Sequence, residues 1–135
     1  MSLYGFSLTL TKHNGIDDVI DKVTAALQTE GFGVLTTIDV QAALKEKIGI
    51  DKGAYRILGA CNPVLANEAI DADAEIGLLL PCNVLVRENK EGAMIVSFID
   101  PEAAMGMVGN GDLMPMALEA KQRLQRAHDV LKAHS

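Results

Sequence analysis

Segments in which apolar residues recur with the period of a strand alternate along this chain with segments in which they recur with the period of a helix. This alternation constrains the fold more than any other feature. Alternation of bulky with small or polar side chains predicts a strand over residues 4–10. A stripe at three- and four-residue steps predicts a helix over residues 16–27, ended by Gly31. Further extended segments are predicted over residues 32–38, 55–61, 76–80, 82–88 and 93–99. Strands and helices in mixed order predict one α+β domain over residues 1–135.

Helix starts carry their own local signals. Asp39, Asn62 and Asp100 each precede a predicted helix, and a side-chain oxygen at that position accepts a free backbone N–H of the first turn. Asn62 and Asp100 are each followed by a proline, which suits the first helical position. A loop over residues 89–92 predicts a hairpin between two strands. The last stripe predicts a closing helix with an inner face of Leu113, Met116, Ala120, Leu124, Ala127 and Leu131.

Charge and composition exclude several classes of partner. The 135 residues carry a formal net charge of −6, which argues against nucleic acid or an anionic membrane as the main partner. Aromatic residues make up 4% with no Trp, so a base-stacking platform is not expected. No apolar run approaches the ~20 residues of a membrane helix, and the N-terminus lacks a secretory signal. With only two cysteines, we expect a reduced, cytoplasmic protein.

Two similar fragments, Cys61-Asn62 and Cys82-Asn83, lie at the borders of predicted strands. If Asn62 caps a helix, Cys61 lies beside its N-terminus, where an anion such as a thiolate is stabilised. We therefore predict a ligand site formed by Cys61, Asn62, Cys82 and Asn83, with at least one accessible thiol of lowered pKa. The two cysteines are also candidate ligands of a soft metal. The alternative interpretation is that both are small buried hydrophobes.

Three functions fit these residues. The first is binding of a small ligand or soft metal where Cys61, Asn62 and Cys82 meet. The second is a homodimeric protein-interaction module in which the cysteines are structural. The third is a thiol redox enzyme with Cys61 as nucleophile and Cys82 as resolving thiol, although the absence of Cys-x-x-Cys excludes a thioredoxin-type site. The sequence identifies neither a catalytic residue nor a cofactor.

Methionines are concentrated in one part of the chain. Five of the six lie between Met94 and Met116, including Met105, Met107 and Met114. Paired thioethers near a thiolate can hold Cu(I), but methionines more often fill gaps in a core.

Several segments together resemble a known family. They are the run over residues 37–47, the run over residues 55–63 that ends in Cys-Asn-Pro, the Leu-Pro-Cys-Asn-Val segment over residues 80–84, and Asp100-Pro101. Over about residues 4–131 the chain resembles the family called domain of unknown function 302. The resemblance implies an α+β domain with helices packed on an antiparallel-rich sheet, often as a homodimer, in mainly bacterial proteins. The family name states no activity.

Overall fold

The computed structural model describes residues 4–133, and its centre is one five-stranded sheet. The spatial order of the strands is β1-β5-β4-β3-β2, and every neighbouring pair is antiparallel. This arrangement confirms the α+β class. The strands are β1 (Gly5–Leu10), β2 (Gly33–Asp39), β3 (Tyr55–Cys61), β4 (Cys82–Glu88) and β5 (Met94–Ile99).

Five α-helices and two 3₁₀ helices accompany the sheet in the described part of the chain, residues 4–133. Two of them, α1 and α5, pack on the same face of it. Within residues 4–133, every helix is too short or too polar to span a bilayer. The helices are α1 (Ile16–Gln28), α2 (Val40–Ile48), α3 (Pro63–Ala72), α4 (Pro101–Gly106) and α5 (Met114–Ala133), with 3₁₀ helices at Ala74–Leu79 and Gly111–Leu113.

Helix α5 joins two separate hydrophobic cores. Its later turns contribute Leu124 and Ala127 to the main core, which lies between the sheet and helices α1 and α5. Its first turns contribute Ala117 to a smaller core, together with Ala69 of α3 and Met105 of α4. The smaller core therefore positions α3 and α4 beside one end of the sheet.

The predicted helix caps are present. The side chain accepts backbone N–H bonds from the first turn in each case: Asp39 at α2, Asn62 at α3 and Asp100 at α4. Gly31 follows α1 with φ of 80°, a left-handed conformation that glycine adopts without strain. The hairpin predicted over residues 89–92 joins β4 to β5.

The strand predicted over residues 76–80 is wrong. The segment belongs instead to the 3₁₀ helix Ala74–Leu79, which begins where the Asp73 side chain accepts the backbone N–H of Glu75. Ile76 is 2% exposed and fills the smaller core rather than one face of a sheet. A short apolar run cannot be assigned to strand or helix by periodicity alone, and here a capping side chain favours the helical turn.

The second face of the sheet carries apolar side chains that α1 and α5 do not cover. Inward positions of β4 and β5, such as Val86 and Val96, are fully buried. The alternate positions Leu85, Ile95 and Ile99 are only partly buried. Solvated faces of antiparallel sheets usually carry polar residues, and here Asn83, Arg87 and Ser97 share the face with these apolar side chains.

The edge strand β2 contains a bulge. Val34 pairs with Ala60 and Thr36 pairs with Gly59, so Leu35 has no partner across the ladder. Leu35 is 69% exposed, and the extra residue bends the outer edge of the sheet.

Asp100 accepts two backbone N–H groups, whereas Asp39 and Asn62 each accept one. Its replacement therefore tests the packing of α4. The residue is 7% exposed, and one carboxylate oxygen accepts the N–H groups of Glu102 and Ala103 at 3.0 and 3.3 Å. We expect Asp100→Ala to lower the free energy of unfolding by about 2 kcal/mol, because two half-buried N–H groups lose their acceptor and Lys121 loses an ion-pair partner. Urea unfolding followed by circular dichroism measures this. Asp39→Ala, which removes a more exposed cap with one donor, is the matched comparison and should cost about 1 kcal/mol.

Candidate functional site

Cys61 and Cys82 lie side by side at one end of the two central strands. Cys61 is the last residue of β3 and Cys82 is the first of β4, and the strand register pairs Ala60 with Cys82. Given this diagonal relation, strand geometry places the two Cα atoms roughly 6 Å apart. The two cysteines are therefore diagonal neighbours at the ends of adjacent strands.

Both thiols line a small apolar cavity between the sheet end and helices α3, α4 and α5. We call this the cysteine cavity, and its volume is about 30 Å³. That volume accommodates about one water-sized particle. Its lining includes Cys61, Asn62, Cys82, Met105, Met116 and Phe32.

Asn62 supports the site through the backbone. Its side chain is almost fully buried, at 8% exposure, and its Oδ1 accepts the N–H of Leu65 at 3.2 Å. A Cβ at Gly31 would lie 3.0 Å from the Nδ2 of Asn62, so the glycine leaves room for the amide. Asn62 thus fixes the turn from β3 into α3, directly after Cys61.

A close contact with Gly59 positions the residue before Cys82. A Cβ at Gly59 would lie 2.7 Å from Cγ of Pro81 and closer still to Oγ1 of Thr36. Only glycine therefore lets the Pro81 ring lie against β3. The Leu80–Pro81 peptide bond is cis.

Asn83, the fourth predicted site residue, is not brought to this group. It is the next residue along β4 after Cys82, and it does not line the cysteine cavity. Asn83 is exposed and lines a groove on the second face of the sheet with Leu85 and Arg87. The site therefore contains three of the four predicted residues.

The two thiols differ in environment, although both are free. Cys61 is half-buried, whereas Cys82 is 9% exposed. Burial raises the pKa of the Cys82 thiol from its ordinary value of 9.0 to about 11, and the nearby Cys61 adds to the rise. Cys82 is therefore not the accessible thiol of lowered pKa that the sequence predicts. Redox pairing of the two cysteines stays a prediction.

Met105 and Met116 are cavity residues that the sequence did not assign to the cysteine site. Met105 of α4 is 6% exposed and Met116 of α5 is half-buried, and both line the cysteine cavity. Met107, by contrast, is 84% exposed. The concentration of methionines was the available signal, but only the fold distinguishes the members that meet the thiols.

An ion-pair cluster holds α4 against α5 and so positions the two methionines. Lys121 Nζ of α5 lies 2.9 Å from Glu102 Oε1 and 3.1 Å from Asp100 Oδ2, at the start of α4. Hydrogen bonds to Glu102 and Asp100 raise the pKa of Lys121. The helix carrying Met105 is thereby tied to the helix carrying Met116.

The residues that could hold a metal here are sulfur donors. Nowhere in residues 4–133 do three or more His, Cys, Asp or Glu side chains group together in a way that could hold a metal ion. The cysteine cavity instead combines two thiols with two thioethers. Such donors suit soft ions.

Comparisons with known proteins agree with this fold. A family model described as Domain of unknown function DUF302 matches residues 6–131. An uncharacterized conserved protein of DUF302 from Bacillus stearothermophilus has a similar crystal structure, with 26% sequence identity and a TM-score of 0.85. That match covers 95% of this chain and 98% of the other. No curated protein matches the chain.

The raised pKa of Cys82 predicts a loss of stability at alkaline pH. Between about pH 9 and 11 the folded state keeps a thiol proton that the unfolded chain releases, so the free energy of unfolding falls as pH rises. At pH 10.5 the loss from this group should be about 2 kcal/mol. Urea unfolding at pH 8 and pH 10.5 measures it for the wild type and for Cys82→Ala. An equal pH effect in both proteins would contradict the assignment to Cys82.

Proposed function

The chain belongs to the DUF302 family, whose description states no activity, and we propose that its cysteine cavity binds one soft metal ion. The observation that carries the proposal is the presence of both thiols in one cavity of about 30 Å³. Sites for organic ligands and cofactors usually have volumes of about 300–1,000 Å³. A cavity of this size therefore favours a single ion over an organic molecule.

The chemistry of the lining supports a thiophilic ion. Cys61 and Cys82 offer the two sulfur atoms from adjacent strands, and thiolates select soft metals. Binding replaces the thiol protons, which pass to solvent, with bonds from sulfur to the metal. Because Cys61 is half-buried and Cys82 is buried, the ion enters past Cys61.

Support from the surrounding elements fits a preformed site. Asn62 caps α3 directly after Cys61, and Pro81 lies against Gly59 directly before Cys82. Each thiol is thus adjacent to a residue that packing or a hydrogen bond holds in place. Rigid neighbours reduce the ordering cost of binding.

Titration with Cd²⁺ tests this function, because Cd²⁺ bound to thiolates absorbs in the ultraviolet. We expect one equivalent to bind the reduced protein. Cys61→Ser and Cys82→Ser should each weaken binding by roughly 100-fold, since loss of a partner that only orients a metal ligand already costs about 10–100-fold. Asn83→Ala, which changes the neighbour of Cys82 on the opposite face, is the matched control and should bind as the wild type. Unchanged binding in both cysteine variants would refute the proposal.

The uncovered face of the sheet favours a second function, self-association. The groove on this face has a volume of about 390 Å³ and is lined mainly by residues of β1, β4 and β5, including Leu85, Ser97 and Ile99. Ile57 of β3 and Ile38 of β2 pair with each other in the register that continues this face, and Ile38 is 52% exposed. A second copy of the chain offers the same combination of apolar and polar side chains on its own face.

The size of the face agrees with a dimer. Strand spacing of about 4.8 Å and a strand length of about 20 Å give five strands a face of roughly 500 Å². Two such faces in a symmetric dimer bury on the order of 1,000 Å², the lower end of a specific interface.

A charge placed at the centre of the face tests the dimer. Leu85→Glu should weaken self-association by roughly 30-fold, the effect of a residue worth about 2 kcal/mol at an interface. Sedimentation equilibrium over a range of protein concentrations measures it, with circular dichroism to verify folding. Gln125→Glu, on the exposed side of α5, should leave the mass unchanged. A wild type that is monomeric at every concentration would remove this candidate.

A further inference from the structure

Two thioether groups meet the two thiols in the cysteine cavity. Met105 lies on α4 and Met116 near the start of α5, far along the chain from Cys61 and Cys82. Four sulfur-containing side chains from four different elements therefore line one volume of about 30 Å³. This convergence bears on which soft ion the site takes.

We propose that the ion is Cu(I), and that Met105 and Met116 coordinate it together with Cys61 and Cys82. The inference rests on the proposed function, since it names the ion and adds two ligands to that site. It assigns Met105 and Met116 a role beyond filling the smaller core.

Ligand chemistry separates Cu(I) from the other thiophilic ions. Thioethers are neutral, soft donors that favour Cu(I). Structural zinc sites take four ligands from Cys, His, Asp and Glu, and the cysteine cavity offers two thiols and no other member of that set. Two thiols with two thioethers therefore match Cu(I) better than Zn²⁺.

The fold holds the thioethers in place without an ion. Lys121 ties α5 to Glu102 and Asp100 at the start of α4, so the helices that carry Met105 and Met116 are held against each other. Met105 also packs in the smaller core with Leu113.

The binding step is balanced without any redox partner. Copper stays in the Cu(I) state, each coordinating thiol loses its proton to solvent, and each thioether donates a lone pair without losing a proton. Neither an oxidant nor a reductant takes part.

Competition with a colorimetric Cu(I) chelator under anaerobic conditions measures the affinity. Met105→Leu and Met116→Leu should each weaken Cu(I) binding by roughly tenfold, equivalent to about 1.4 kcal/mol, and leave Cd²⁺ binding unchanged. Replacing Met with Leu nearly conserves volume and costs little stability, which circular dichroism verifies. Met107→Leu is the matched control, because Met107 is 84% exposed, and should bind Cu(I) as the wild type.

The outcomes separate the two proposals. Wild-type Cu(I) affinity in both methionine variants would overturn the role of the thioethers, while Cd²⁺ binding that depends on Cys61 and Cys82 would leave the proposed function standing. Failure of the wild type to bind either ion would overturn both.

X-ray absorption of the Cu(I)-loaded protein gives a second test that needs no variant. In protein produced with selenomethionine, we expect selenium in the copper coordination shell. A shell that contains sulfur alone would overturn the inference even if the methionine variants failed to fold.

Discussion

The antiparallel pairing of β3 with β4 is the constraint on which both the core and the site depend. In this register Leu58 lies opposite Val84 and Ala60 opposite Cys82. Because side chains alternate, a slip of one residue would turn the partners of one strand to the opposite face. Leu58 and Val84 are both fully buried, so the main core resists any such slip. The energy that secures the core thereby also secures the meeting of Cys61 with Cys82 at the strand ends.

Local features of the fold could be predicted from the sequence, but long-range order could not. The caps at Asp39, Asn62 and Asp100 are short-range chemistry between a side chain and the following turn. The pairing of β1 with β5, in contrast, joins the two ends of the strand series, and no residue pattern specifies it. Residues 76–80 show a third case, in which a local pattern was present but ambiguous and a side-chain hydrogen bond from Asp73 decided the conformation.

The residues of the candidate site also divide into those that the sequence predicts and those that only the fold reveals. Cys61, Asn62 and Cys82 could be found because each lies at the border of a predicted strand, and adjacent strands bring such borders together. Asn83 satisfies the same border criterion, yet it lines the groove on the second face of the sheet and not the cysteine cavity. Met105 and Met116 can be identified as site residues only from the packing of α4 against α5, because their spacing along the chain does not distinguish them from Met107. The residues closest to a strand end were thus predictable, and those contributed by packed helices were not.

The bulge at Leu35 has a consequence for how copies of this chain can meet. An edge strand with a regular row of free N–H and C=O groups is a template for adding a strand from another chain, the first step of aggregation. β2 is such an edge, and its bulge between Val34 and Thr36 breaks the regular pairing pattern along the strand. Open-ended stacking of sheets edge to edge is therefore disfavoured at β2.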